Sequence, residues 1–205
     1  MRDKPCSTRG RIGLLGGSFN PAHEGHLHIS LSAMKRLKLN EIWWLASPQN
    51  PLKASSELAE YTLRLNSARA VANHPRIRVL DIEAREGLFY SIDTLKFLKR
   101  RYPRAQFVWL MGADNLAHFH RWRAWSRFLQ LVPIAVIDRA PYALSALHQK
   151  FAWRFRHKRA PANAALVTAK SAYRWAYLSL PRHPMSATHL RKTLGKNAFL
   201  RHTHP

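Results

Sequence analysis

Gly16-Gly17-Ser18-Phe19-Asn20-Pro21-Ala22-His23-Glu24-Gly25-His26 separates two segments of different periodicity. Before it, Arg11-Ile12-Gly13-Leu14-Leu15 is a short apolar run that reads as a buried first strand. After it, Leu27-His28-Ile29-Ser30-Leu31-Ser32-Ala33-Met34 carries its apolar residues at helical spacing. Strand, glycine turn, two histidines and helix is the order in which an α/β sheet presents backbone N–H groups and cationic side chains to a phosphate. Gly16 and Gly17 let the backbone turn sharply and approach a phosphate with no Cβ in the way. Asn20-Pro21 bends the chain, and His23 and His26, three residues apart, can point from one helical turn to the same place.

Outward from this stretch the chain alternates. Glu41-Ile42-Trp43-Trp44-Leu45-Ala46 reads as a second strand, and the two prolines of Ser47-Pro48-Gln49-Asn50-Pro51-Leu52-Lys53 exclude regular structure after it. A helix is predicted over about 57–73 and a strand over 77–82. A second helix follows over 91–101, where Ile92, Leu95 and Leu98 share a face. Strands are expected at 106–111, ended by Gly112-Ala113-Asp114, at 133–138, and near Tyr177-Leu178-Ser179. A basic helix plus a loop is expected over 142–164, and a last helix opening at Ser186. Strands alternating with helices at this spacing predict an α/β fold with a doubly wound, mostly parallel sheet and helices on both faces. No internal repeat or linker divides the chain, so one domain over 11–195 is expected, with 1–10 and 196–205 as loose tails.

Composition sets the bounds. With 205 residues the chain can bury one sizeable core, and 46% hydrophobic residues exclude a disordered chain. No apolar run approaches the roughly eighteen residues of a membrane span. The basic start has no apolar segment behind it, so no secretory signal is expected. The single Cys6 excludes an internal disulfide framework and fits a reducing compartment, which points to the cytoplasm.

Charge and histidine content invite other readings. Lys plus Arg number 34 against 11 Asp plus Glu, a net charge of +23 that raises nucleic-acid binding as a function. The basic residues are scattered through apparent helices and denser only over 150–159, so the charge speaks to solubility and attraction of anions more than to a specific nucleic-acid site. Zinc on His23, His26 and His28 is disfavoured. His-Glu-Gly-His lacks the two residues after Glu of the metalloprotease pattern, and cysteine ligands are missing. With twelve histidines in the chain, a close pair alone says little.

The whole string says more. It resembles the GG(S/T)F(D/N)PxHxGH signature of the nucleotidyltransferase superfamily, related to the HIGH motif of class I aminoacyl-tRNA synthetases, with Asn20 where Asp is commoner. Far downstream, Met185-Ser186-Ala187-Thr188-His189-Leu190-Arg191 resembles that superfamily's (I)SxTxxR. Ser186 after Pro184 suits a helix N-cap, and a helix N-terminus with hydroxyls and an Arg one turn on is also a polyphosphate clamp. Four further stretches resemble nicotinate mononucleotide adenylyltransferases in particular. They are Pro48–Lys53, the (Y/W)(S/T)xxTL pattern in Tyr90-Ser91-Ile92-Asp93-Thr94-Leu95, Gly112-Ala113-Asp114 with Trp122 eight residues on, and Ile137-Asp138-Arg139-Ala140-Pro141. Arg123 departs from that family, which commonly has an aromatic there.

The resemblance implies a Rossmann-like nucleotidyltransferase fold and the joining of nicotinate mononucleotide to the AMP part of ATP. The implied catalytic residues are His23, His26, Lys53 and Arg191. Those for ATP are Gly16, Gly17, Ser18, Phe19, His23, His26, Asp114, Ser186, Thr188 and Arg191. For the mononucleotide they are Asn50, Lys53, Ser91, Asp114, Trp122 and Arg139, with Trp122 stacking on the pyridine and Arg139 holding the phosphate. Bland readings stand beside these: tryptophans are more often core residues, and Lys53 suits a solvated loop. Mg²⁺ is expected to ride on the ATP phosphates with no protein metal site. The expected partners are the two small substrates, with no specific nucleic acid and no membrane, and a homo-oligomer is compatible with the sequence. Phosphopantetheine and nicotinamide mononucleotide are the rival acceptors. The Tyr90–Leu95 and Trp122 stretches argue against the first; the second stays open. A synthetase fragment would need a KMSKS-type loop, and none is present.

Overall fold

The computed structural model describes residues 9–49, 58–138, 145–160 and 174–179, together with Ala187, Leu190 and Thr193. The described strands are β1 (Gly10–Gly17), β2 (Glu41–Ala46), β3 (Ile77–Leu80), β4 (Ala105–Gly112), β5 (Ile134–Ile137) and β6 (Trp175–Leu178). They form a six-stranded sheet in the order β3-β2-β1-β4-β5-β6, and each neighbouring pair runs parallel. Between them lie α1 (Glu24–Arg36), α2 (Tyr61–Val71), α3 (Ile82–Arg85), α4 (Ser91–Arg101), α5 (Ala113–His118), α6 (Trp125–Leu131) and α7 (Lys150–Arg154).

Parallel strands bury both faces, and the sequence supplies apolar residues for both. Ile12, Leu14, Trp43, Leu45, Trp109 and Val136 pack on one side against Ile92, Leu95, Leu98 and Phe128 of α4 and α6. Leu15, Ile42, Trp44, Val108, Leu110 and Ile137 pack on the other against Ala33 and Met34 of α1 and Leu65 and Ala68 of α2. Gly13 sits where there is no room for more: a Cβ there would lie 2.8 Å from Leu39 Cδ1 and 3.0 Å from Leu110 Cδ1. The strand order reverses at β1. The chain steps outward through β2 and β3, then returns to place β4 on the other side. That reversal opens a crevice beyond the C-terminal ends of β1 and β4, the usual ligand position in such sheets.

Several expected boundaries shift. β1 continues through Gly16 and Gly17, which pair with Leu45 and Ala46, so the turn begins at Ser18. β3 stops at Leu80, and Ile82 is buried instead by the short helix α3. α5 and α6, joined by the 3₁₀ turn Phe119–Arg121, fill a stretch whose aromatic-rich pattern has no clear helical period. In place of one basic helix, the described part of 142–164 is the short α7 between 3₁₀ turns at Ser145–His148 and Arg156–Lys158. Ala187, Leu190 and Thr193 are helical, in line with a last helix, while its opening residue Ser186 lies outside the described residues.

With few acids available, arginines settle on aromatic faces. Arg101 lies 5.5 Å from the Tyr102 ring centroid, Arg156 5.1 Å from Trp153 and Arg159 5.6 Å from Trp175.

Candidate functional site

At the end of β1 the backbone is held in an unusual shape. Gly16 is exposed, and a Cβ on it would lie 3.1 Å from the Trp109 ring of β4, so the strand ends approach closely here. Phe19 has φ 45°, a left-handed conformation that is costly for an aromatic residue. Burial and stacking hold it. The ring is 2% exposed, lies parallel to Trp44 at 5.0 Å, and sits 5.0 Å from His26. Its place is behind the histidine, so any part it takes in holding a ligand comes through its backbone. The Asn20–Pro21 peptide is cis, and Asn20 Oδ1 accepts the Ala59 N–H at 3.1 Å.

The two histidines of the signature cap α1 reciprocally. His23 is the N-cap residue, and its Nδ1 accepts the Gly25 N–H at 3.1 Å. The His23 N–H in turn donates to His26 Nδ1 at 3.2 Å. This is a capping box with imidazoles in place of the usual hydroxyl and carboxylate. A ring nitrogen that accepts a hydrogen bond carries no proton, so each neutral imidazole holds its proton on Nε2. The ring centroids are 4.0 Å apart. Ser30 fixes the helix behind them: its hydroxyl donates to the His26 carbonyl at 2.7 Å and accepts Trp44 Nε1–H at 2.9 Å. N–H donors at a helix N-terminus are chemically suited to an anion.

Beside it, the segment after β2 is anchored by residues outside the expected set. Arg64 of α2 is 1% exposed and donates to the carbonyls of Ser18, Ser47 and Pro48, each at 2.7 Å. The Ser47 N–H donates to Gly17 O at 3.0 Å. Glu83 of α3, 6% exposed, accepts the Thr94 hydroxyl of α4 at 2.8 Å. Burial pushes the Glu83 carboxyl up to about 7, while the side chains of Thr94 and Ser47 beside it pull the other way.

Across the crevice, α4 opens at Ser91 behind the N-cap residue Tyr90, and Phe89 and Tyr90 are 57% and 39% exposed. Arg123 lies 4.7 Å above the Tyr90 ring and 3.7 Å from Asp93 Oδ2, so the residue that departs from the family pattern sits at the mouth of α4. Trp122 is half-buried, meeting Phe119, Trp109 and Phe128 by its edge or at a tilt. Asp114 lies in the first turn of α5, directly after β4. Tyr177 donates to Asp138 Oδ1 at 3.0 Å, joining the ends of β5 and β6.

The structure therefore brings Gly16, Gly17, Ser18, Phe19, His23, His26 and Asp114 to the C-terminal edge of the two central strands, with Ser91 and Trp122 on the α4 and α6 side. Asn50, Lys53, Arg139, Ser186, Thr188 and Arg191 lie outside the described residues. Reading the sequence passes over Arg64, Ser47, Glu83 and Thr94 as contributors, although Thr94 lies within the quoted Tyr90–Leu95 pattern. Among the described residues no three His, Cys, Asp or Glu side chains gather as a metal site, and no helix is long and apolar enough to cross a membrane.

Residues 14–193 match the Cytidylyltransferase-like family model. A probable nicotinate-nucleotide adenylyltransferase of Caulobacter sp. (strain K31) is 50% identical over 182 residues, covering 88% of this chain and 96% of that protein. One of Methylorubrum extorquens is 49% identical, covering 88% of this chain and 98% of that protein. Among solved structures, the nicotinic acid mononucleotide adenylyltransferase of Plasmodium falciparum complexed with NaAD aligns with a TM-score of 0.68. It is 19% identical, with 95% of this chain and 91% of that chain covered, a likeness of fold.

Glu83 makes stability depend on pH. Its folded carboxyl titrates above the unfolded one, so the proton is retained in the native state and stability falls as pH rises from the ordinary glutamate range through about 7. Glu83→Gln, which cannot ionise, is expected to gain on the wild type between pH 5 and pH 8 by up to about 3 kcal/mol. Denaturant unfolding at the two pH values measures this, and an unchanged difference would exclude a buried carboxylate cost.

Proposed function

The chain belongs to the cytidylyltransferase-like family, and from that premise we propose how its site joins nicotinate mononucleotide to the adenylyl group of ATP. The products are nicotinate adenine dinucleotide and pyrophosphate, a step of NAD biosynthesis. The observation that carries the assignment of the site is the histidine capping box at the strand-order reversal. It leaves the Nε2 atoms of both rings unused by the helix, at the edge of the sheet where a nucleotide binds in folds of this kind.

The nucleophile is the 5′-phosphate of the mononucleotide. Its second pKa is about 6, so it is largely dianionic at neutral pH and needs no general base. One of its oxygens bonds to the α-phosphorus as the bond from that phosphorus to the bridging oxygen breaks, and pyrophosphate leaves without a proton transfer. The obstacle is repulsion between a dianion and a triphosphate, so catalysis is positioning and charge stabilisation. His23 and His26 donate to the ATP phosphates, where charge moves onto the departing pyrophosphate. Lys53, Arg191, Ser186 and Thr188 complete the phosphate set in this reading. The magnesium–ATP complex enters as the substrate, its Mg²⁺ held by phosphate oxygens and water.

On the acceptor side, Trp122 stacks on the pyridine, Ser91 and the first turn of α4 receive its carboxylate, Asn50 and Arg139 belong to the mononucleotide's seat, and Asp114 meets a ribose. Arg123, above Tyr90 and paired with Asp93 at 3.7 Å, lies at that mouth. A cytoplasmic location belongs to the same reading.

Pyrophosphate release from ATP, run with nicotinate and nicotinamide mononucleotides side by side, tests the reaction: turnover is expected with the first, and activity with neither would defeat the reading. His26→Ala is expected to lower kcat by about 100-fold or more with the fold retained in circular dichroism. Near wild-type turnover would remove His26 from the chemistry. Trp122→Ala is expected to raise KM for the mononucleotide well above its effect on KM for ATP, whereas equal shifts would make Trp122 a core residue.

A further inference from the structure

Arg64 is an arginine in an unexpected place. It lies on the inner face of α2, 1% exposed, and its guanidinium hydrogen bonds end on backbone carbonyls. Nη1 donates to Ser18 O and Ser47 O, each at 2.7 Å, Nη2 to Pro48 O at 2.7 Å and Nε to Ala59 O at 2.9 Å. Its planar fork ties together three segments that are far apart in sequence: the signature after β1, the loop after β2 and the entry to α2. Burying a guanidinium is costly, and the cost lowers its proton affinity. An apolar side chain such as Leu or Met would join a helix to a sheet without that cost. What the guanidinium adds is direction, because five N–H groups in a fixed fork determine where several carbonyls point.

A fixed carbonyl also fixes the N–H beyond it. In a trans peptide the C=O and the following N–H point in opposite directions. Holding Ser18 O therefore turns the Phe19 N–H away from Arg64, and holding Pro48 O does the same for the Gln49 N–H. Ser47 adds rigidity: its N–H donates to Gly17 O at 3.0 Å and its hydroxyl to Gln49 O at 2.9 Å. The ring of Tyr61, on the same helix, packs 5.3 Å from the guanidinium carbon and its hydroxyl donates to Ala46 O at 3.3 Å. The segments that leave β1 and β2 are thus both held by one side chain.

We propose that Arg64 is a positioning residue for adenylyl transfer, holding the segments after β1 and β2 at the spacing and orientation that the ATP phosphates require. The assignment rests on the functional reading above, and wild-type turnover with ATP and nicotinate mononucleotide is measured first. Inactivity of the wild type would be a failure of that reading, separate from this one. Arg64→Met keeps the length and the apolar stem but has no donors, and Arg64→Lys keeps a cation with three donors. With circular dichroism confirming the fold, Arg64→Met is expected to lose about 100-fold in kcat/KM for ATP while KM for the mononucleotide moves less than about threefold. Arg64→Lys is expected to recover part of the loss. A purely structural role would not separate the two substrates. The proposal is overturned by a folded Arg64→Met within about threefold of wild type, by a folded Arg64→Lys with wild-type constants, by equal effects on both substrates, or by loss of fold in both variants.

Discussion

The site depends on β1 being paired on both sides, to β2 and to β4, in parallel. With β4 it is one of the two central strands of the sheet, and the strand order reverses between them. Parallel pairing also means that the ends of β1, β2 and β4 lie together, so the segments leaving them can act on one ligand. The approach of Gly16 to Trp109 follows from the same pairing, while at Gly13 the space is taken by Leu39 before β2 and Leu110 of β4.

The histidine pair illustrates how local structure sets chemistry. The same two residues that close the first turn of α1 are those that the proposed function offers to a phosphate. Nδ1 serves the helix, which leaves Nε2 for a ligand in that proposal. The tautomer is settled before any substrate arrives, which is the meaning of preorganisation at this site. Phe19, in a backbone conformation its side chain disfavours, and Trp44 beneath it pack against the His26 ring.

Much of this was legible in the sequence because it depends on local pattern. The string from Gly16 to His26, the apolar run of β2 and the helical face of Ile92, Leu95 and Leu98 each declare their structure over a few residues. What escaped was of two physical kinds. Short elements such as α3, α5 and α6 have too few turns for a period to emerge, and aromatic packing sets their ends. Arg64 and Glu83 escaped because charged residues are read as solvated unless something local says otherwise. Their burial is decided by carbonyls and hydroxyls supplied from elsewhere in the chain, and no spacing rule can show that. Arg123 is an intermediate case. The sequence marks it as a departure, and only the fold shows the ring it covers.

The arginines lying on aromatic faces have a further consequence. With 34 basic residues and 11 acidic ones, the surface cannot neutralise itself by ion pairs, and stacking on Tyr and Trp rings shelters cations without cancelling their charge. The molecule therefore carries a long-range positive field. In dilute salt that field draws phosphate-bearing solutes toward the protein while its own cations repel one another. Added electrolyte weakens both effects, so the ionic strength that best preserves the native state is higher than the one that best gathers its substrates.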